Sequence, residues 1–396
     1  MPNFQPKILT DAWEKRRLED LAVGFEYGLN AAATEFDGIH QYLRITDIDD
    51  ATHEFMKNNI TSPNANFDEV NDYLLHEGDI VFARTGASTG KTYRYKDSDG
   101  LTYFAGFLIR IKVKVGIDGA FVYQSTLLNE YNRYIKVASQ RSGQLGVNSK
   151  EYAKYQLFVP QTNEQHQIGL FLSKIDDTVA LHQRKHDLLL KLKKGYLQKL
   201  FPQNGEVEPE LRFSGFTDAW EKRQFADIVN RVSQQDMSST LPAVEYEDVV
   251  PDSGRLNKDV NSKNVLKKGI VFNNGDVLFG KLRPYLKNWL LADFSGVAVG
   301  DFWVLRPVRT NSHFLYYMIQ STTFQTVANQ SSGTKMPRSD WKKVSKTVFQ
   351  MPILKEQAAI GTFMNTIDAT IALHQRKSSH SFVKLHLCSS IWIRPP

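Results

Sequence analysis

The stretch GASTGKT (Gly86–Thr92) carries the residue types of a phosphate-binding loop. That loop needs a glycine five residues before the glycine of its Gly-Lys pair, and the position holds Thr85. The following YRYKDSDG does not read as a helix whose N-terminus would hold a phosphate, so a turn with a basic tip is expected. His182 and His186 stand at i and i+4, a spacing that can hold a metal. No carboxylate joins them and the second copy keeps only His374, so they read as flank residues of a helix. The aspartates of IDDT (Ile175–Thr178) and IDAT (Ile367–Thr370) fall beside an apolar stripe and read as structural. Pro251-Asp252 lacks an E-x-K partner for a nuclease, and neither G-x-G-x-x-G nor Asn-Pro-Pro-aromatic occurs. The chain reads as a binder with no catalytic residue, no metal and no cofactor of its own.

What remains is the chemistry of recognition. Two groups of loop residues combine basic, amide and hydroxyl side chains near glycines. In the first half these are Arg84, Thr85, Ser88, Lys91, Arg141, Ser142, Gln144, Asn148 and Lys150. In the second they are Lys281, Arg283, Tyr285, Lys287, Gln330, Ser331, Lys335, Arg338 and Ser339. Arginine pairs bidentately with guanine and Gln or Asn with adenine, whereas Lys and Ser more often take phosphates. The formal net charge of +6 favours such an anionic partner, since clustered cations displace counterions from phosphates. The basic run Arg184, Lys185, Lys191, Lys193, Lys194 and Lys199 reads instead as the charged outer face of a coiled coil.

The elements that position these loops are duplicated. TDAWEKR occurs at Thr10–Arg16 and again at Thr217–Arg223, an offset of 217 − 10 = 207. EQHQIGLFLSKIDDTVALHQRK (Glu164–Lys185) parallels EQAAIGTFMNTIDATIALHQRK (Glu356–Lys377), an offset of 356 − 164 = 192. Between these blocks EGDIVFARTG (Glu77–Gly86) matches NGDVLFGKLR (Asn274–Arg283), FLIRIKV (Phe107–Val113) matches FWVLRPV (Phe302–Val308), and SQRSGQLGVNSKEY matches NQSSGTKMPRSDW. The ends of the two copies agree while their middles differ, as expected of one framework carrying two surfaces.

Residues 163–200 read as one long helix, roughly 57 Å at 1.5 Å per residue. Ile168, Leu172, Ile175 and Val179 open its apolar stripe, and Leu189, Tyr196 and Leu200 continue it. Ile360, Met364, Ile367 and Ile371, with Phe363, begin the matching stripe in the second copy, so the two helices are expected to pair antiparallel. Short β-branched or aromatic runs read as strands, and 122–136 and 311–329 as further helices. The fold class expected is α+β, with two tandem globular domains separated by long helices that form an antiparallel coiled coil. The boundaries expected are 1–160 and 203–352 for the domains, 161–202 for the central helix and 353–396 for the C-terminal helix with its atypical tail.

No apolar run approaches the length of a membrane span, and MPNFQPKILTDAWEKRR lacks the apolar core of a signal peptide. The single cysteine, Cys388, excludes a disulfide framework. A cytoplasmic protein is expected.

With EQHQIG, IDDTVALHQRK and LKKGYLQKLFP, their second copy, TDAWEKR, GDIVFARTGASTGK and RSGQLGVN in hand, the chain resembles the specificity (S) subunit of type I restriction-modification systems over nearly its whole length. The resemblance implies two target-recognition domains, each reading half of a split, asymmetric sequence in double-stranded DNA, with the helices as a ruler. It implies docking of two methyltransferase (M) subunits, and of restriction (R) subunits through the complex. S-adenosylmethionine, ATP and Mg²⁺ would belong to those partners. The alternatives are a stand-alone two-domain DNA-binding protein and a coiled-coil interaction protein. One departure stands out: after HQRK the first copy continues HDLLLKLKKGYLQKLF, whereas the second reads SSHSFVKLHLCSSIWIRPP, which suggests a frameshifted or recombined end.

Overall fold

The structure is a computed structural model that describes residues 13–141, 146–203, 205–237, 241–260, 267–330 and 336–392, without the side chains of 141 and 378–392. It divides into two compact units, residues 1–183 with 376–396, and residues 184–375.

In the first unit, β1 (Glu14–Arg17) pairs antiparallel with β6 (Gln156–Val159), so the start of the globular part is tied to its end. Between them β2 (Ala22–Tyr27), β3 (Ile80–Ala83), β4 (Thr92–Arg94) and β5 (Leu108–Val113) form a four-stranded antiparallel sheet in the order β2-β5-β3-β4. Helices α1 (Gly119–Ser125) and α2 (Asn129–Ala138) cover one face, with Phe82, Phe121 and Tyr131 in the shared core. A single helix was expected over 122–136; Leu128 adopts extended backbone (φ −77°, ψ 157°) and breaks it in two. The long helix α3 occupies Thr162–Lys199.

The second unit repeats this plan. β7 (Glu221–Gln224) pairs with β12 (Val348–Met351), and β8 (Val229–Val232), β9 (Val277–Gly280), β10 (Trp289–Leu291) and β11 (Phe302–Pro307) form a sheet in the order β8-β11-β9-β10. The expected helix over 311–329 is likewise two, α4 (Ser312–Met318) and α5 (Thr322–Ala328), because Ser321 turns extended to cap α5 with its hydroxyl. Helix α6 runs Leu354–Trp392, so the backbone stays helical past Lys377 as far as Trp392, and the departure over that stretch lies in residue type.

Register corrects one sequence match. Ala83 lies opposite Leu108, and its counterpart Gly280 lies opposite Phe302. Phe107 therefore corresponds to Asp301, one residue away from the match drawn between FLIRIKV and FWVLRPV. A run buried on both faces has no alternation to fix its register, and a slip of one exchanges every face.

The EQ..IG motifs are the joints between sheet units and helices. Gln165 accepts from the Asp118 backbone N–H (3.1 Å) and donates to the Pro160 carbonyl (2.8 Å). Gln357 accepts from the Asn311 N–H (2.9 Å) and the Thr310 hydroxyl (2.8 Å) and donates to the Pro352 carbonyl (2.8 Å). One turn on, each helix passes over the capped N-terminus of the neighbouring short helix. A Cβ at Gly169 would lie 2.5 Å from the Asp118 carboxylate, and one at Gly361 would lie 2.7 Å from the His313 Cβ. Only glycine permits that approach. In the second unit the two repeated blocks also touch: buried Glu356 takes a two-pronged bond from Arg212 (2.8 and 2.9 Å), and the Trp220 indole N–H reaches it at 3.4 Å.

The stripe residues divide between two tasks. Ile168 and Leu172 are buried, and together with Ile175 they pack into the core of their own globular unit; Val179 is also buried. This differs from the helix-to-helix seam expected for them, because the joint holds the first turns of α3 against α1. In the second unit Ile360, Met364, Ile367 and Ile371 share a core with Leu200, and Leu189 and Tyr196 pack on it. There Tyr196 meets Phe363 edge-on, with centroids 4.8 Å apart, and Lys193 meets Asp368 at 2.8 Å, so the helices run antiparallel.

The paired aspartates are not equivalent. Asp368 has the buried Lys193 ammonium and the Tyr317 hydroxyl (2.8 Å). Asp176, at the matching position, has the Gln124 amide (2.5 Å), and burial pushes its carboxyl up to about 6. Position 193 + 192 = 385, which the same offset sets against Lys193 beyond the end of the matched block, carries leucine.

Thermal and urea unfolding of three variants tests these contacts. Gly361→Ala should destabilise by about 1–3 kcal/mol through overpacking, whereas Gly195→Ala, with open space around it, should stabilise by about 0.5–1 kcal/mol through helix propensity. Asp176→Asn should give a pH-dependent gain. The native carboxyl keeps its proton up to about pH 6 while the unfolded one loses it near 3.8, so wild-type stability falls as pH rises across that window. The variant should exceed wild type by on the order of 2 kcal/mol above pH 6 and match it below pH 4; a gap independent of pH would refute this origin.

Candidate nucleic-acid interface

Both sheets end in the same loop geometry. Arg84 follows β3 directly; its N–H donates to the Phe107 carbonyl (3.0 Å), and its carbonyl accepts from Val147 N–H (2.9 Å). Lys281 follows β9 directly; its N–H donates to the Asp301 carbonyl (2.9 Å), and its carbonyl accepts from Ser339 N–H (2.9 Å). The next residues, Thr85 and Leu282, bridge to Gly146 and Arg338. The loops that the sequence marks, 146 − 84 = 62 residues apart in the first unit, thus meet through backbone bonds at the end of an interior strand of each sheet.

The side chains in these slots differ. Arg84 lies over Tyr27 and Phe107, 5.0 and 5.8 Å from the ring centroids. Tyr27 is fixed by donating to the Ser149 hydroxyl at 3.1 Å, and Phe107 is 56% exposed. In the second unit Asp301 binds Arg338 through two bonds (3.2 and 3.0 Å) and stands 3.6 Å from the Lys281 ammonium. Arg338's bonds hold the Asp301 carboxyl below its usual range.

A second loop stands out beside β9. Arg283 and Lys287 both adopt left-handed backbone (φ 48° and 58°) around the turn Pro284–Leu286. Such non-glycine residues cost roughly 1 kcal/mol each. The Arg283 N–H bonds to Pro337 (2.7 Å), and the Lys287 carbonyl accepts from Asp252 (3.0 Å), which hold the strained turn and leave Tyr285 57% exposed. The Lys287 ammonium pairs with Asp252 at 2.9 Å. Lys191 and Lys194 of α3 join Lys287, Gln325 and Asn329 along an open groove of about 700 Å³. Lys193 of the same basic run faces inward to Asp368, so that run is not wholly an outer face.

Several of the sequence-selected residues sit in structural positions. Ser88 is buried, and the Lys91 ammonium is engaged by Asp50 and the Ile48 carbonyl. The Ser339 hydroxyl is buried on the Ala328 carbonyl, and Asn148 caps the short helix Ser149–Ala153. Lys150 and Gln330 are exposed. The Arg141 side chain, Ser142, Gln144, Ser331 and Lys335 lie outside the described residues. Tyr27 and Phe107 carry no recognition signal in the sequence: Phe107 opens an apolar run that matches core residue Phe302 and reads as a strand residue. GASTGKT forms the turn between β3 and β4, with a short 3-10 segment at Gly86–Ser88. Among the described residues no group of three or more His, Cys, Asp or Glu is gathered for a metal, and no helix is long and apolar enough to cross a membrane.

Type I restriction modification DNA specificity domains match this chain twice, over residues 10–191 and 217–380. The chain belongs to that family. It is a DNA target-recognition subunit of a type I restriction-modification system, built as two tandem specificity domains. It is 21% identical to the type I restriction enzyme MjaVIII specificity subunit of Methanocaldococcus jannaschii, over 92% of this chain and 88% of that one. It is also 21% identical to the EcoDI specificity subunit of Escherichia coli, over 51% and 52%. The crystal structure of a type I restriction-modification S subunit from M. genitalium shares its fold, with a TM-score of 0.67 and 12% identity over 98% of both chains.

Proposed function

We infer that this specificity subunit reads a split, asymmetric sequence in double-stranded DNA, with one half-site for each globular unit. The observation that carries the reading is the matched pair of backbone slots at Arg84 and Lys281, alike in every main-chain bond and unlike in side chains. Two copies of one reader would favour a symmetric site; two scaffolds with different edges suit an asymmetric one. The proposed contact residues are Arg84, Thr85 and Lys150 in the first domain, and Arg283, Tyr285, Lys287 and Gln330 in the second. Lys281 and Arg338 act there through Asp301. Lys191 and Lys194 suit phosphates, which position a reader without selecting bases. The domains we assign are 1–160 and 203–352, with the helices as the connecting parts.

The same reading gives the chain no catalytic role of its own. Methylation and cleavage belong to two methyltransferase subunits and to restriction subunits in the complex, together with S-adenosylmethionine, ATP and Mg²⁺, in the cytoplasm. Half-exposed Leu188 and Leu192, one turn apart on α3, offer apolar contacts to a docked methyltransferase subunit.

Methylome sequencing of cells carrying this chain with its methyltransferase subunit should show one split motif with adenines modified on both strands. An unmodified genome, with both proteins present and associated, would overturn the reading.

A further inference from the structure

We propose that Arg84 selects guanine in the half-site of the first domain, and that Asp301 bars the second domain from a guanine contact at the matching position. The inference rests on the reading above, that each domain contacts one half of a split DNA target.

Arg84 stands at the rim of an open cleft of about 620 Å³, with Tyr27, Phe107 and Arg44 among its walls. Neighbouring arginines already have their charge met: Arg44 forks onto Asp47 (2.8 and 2.9 Å), and buried Arg110 is held by Glu26 and two carbonyls. Among the described residues no carboxylate lies within 4 Å of the Arg84 guanidinium. Its Nε is sealed from solvent without an acceptor, and the side chain it meets is the neutral Tyr27 hydroxyl, so no carboxylate competes with a ligand for the terminal amino groups. Two flanking rings, 5.0 and 5.8 Å from the guanidinium carbon, restrict its range, and backbone bonds on both sides fix its root. A flexible ammonium suffices for a phosphate. A restricted planar fork fits a pair of coplanar acceptors, and guanine alone presents two, O6 and N7, in the major groove.

The second domain inverts this chemistry in the same slot. Register places Asp301 where the first domain has Phe107, and its carboxylate takes up both Lys281 and Arg338. An anionic group there repels the acceptor edge of guanine and withdraws the cations that would bind it.

The test is selection from a duplex library with two randomised blocks and variable spacing, using the full chain with its methyltransferase subunits, for wild type, Arg84→Ala, Arg84→Lys and Asp301→Asn. Wild type should select a split motif with guanine at a position in one block. Arg84→Ala should lose that preference alone, with a fall of about 10–100-fold on the selected duplex and little change on the duplex mismatched there. Arg84→Lys should not restore the discrimination, since it lacks the fork. Asp301→Asn should admit guanine at a position of the other block where wild type excludes it. Retained selection in the unaltered block shows that each variant is folded. Equal weakening on all duplexes, with a salt slope lower by about 1, would mark Arg84 as a phosphate contact and overturn the proposal. So would an unchanged motif in Arg84→Ala, and an unchanged second block in Asp301→Asn would overturn its second half. If wild type selects no sequence at all, the recognition reading itself falls, and the inference with it.

Discussion

Each globular unit is held to its long helix by one glutamine and one glycine, and much of the architecture depends on that contact. The glutamine amide satisfies backbone groups at the end of the last strand and at the cap of a short helix, groups that would be costly to bury unpaired. The glycine lets the long helix approach that cap without a Cβ between them. Once the approach is fixed, the first apolar positions of the helix fall into the core of the globular unit. A buried, directional joint of this kind transmits the orientation of the sheet to the helix with little slack.

Buried charge shows where the two copies have parted. In the second unit Glu356 and Asp368 each have a cation, supplied by Arg212 and Lys193, so burial leaves them compensated. Asp176 occupies the place of Asp368 with an amide for company, and its proton affinity rises accordingly. Both copies thus carry the carboxylate, while the position that the same offset sets against the lysine is leucine. That difference lies in the divergent tail, whose backbone is helical as far as Trp392.

The two matched slots share their main-chain bonds. Arg84 and Lys281 make the same two backbone bonds, so the side chain can change without disturbing the strand that presents it. An aromatic neighbour frames a cation and leaves its donors available, whereas a carboxylate neighbour consumes them. The strained turn between Arg283 and Lys287 adds a different surface to the second domain, held by bonds to Pro337 and Asp252.

The sequence by itself determined the duplication, the α+β class, the long helix and the family, because repeated blocks and apolar spacing are written directly in residue order. It also placed Arg84 and Lys281 among the candidate DNA-contacting residues. It did not reveal that Phe107 and Asp301 are counterparts, since a strand buried on both faces carries no sign of its register; hydrogen bonding to β3 and β9 decided that. Nor could it separate Lys91, Ser88 and Ser339, which face their own domain, from exposed Lys150 and Gln330. Whether a polar side chain meets solvent or an internal partner depends on groups distant in the chain, and only the tertiary structure brings those groups together.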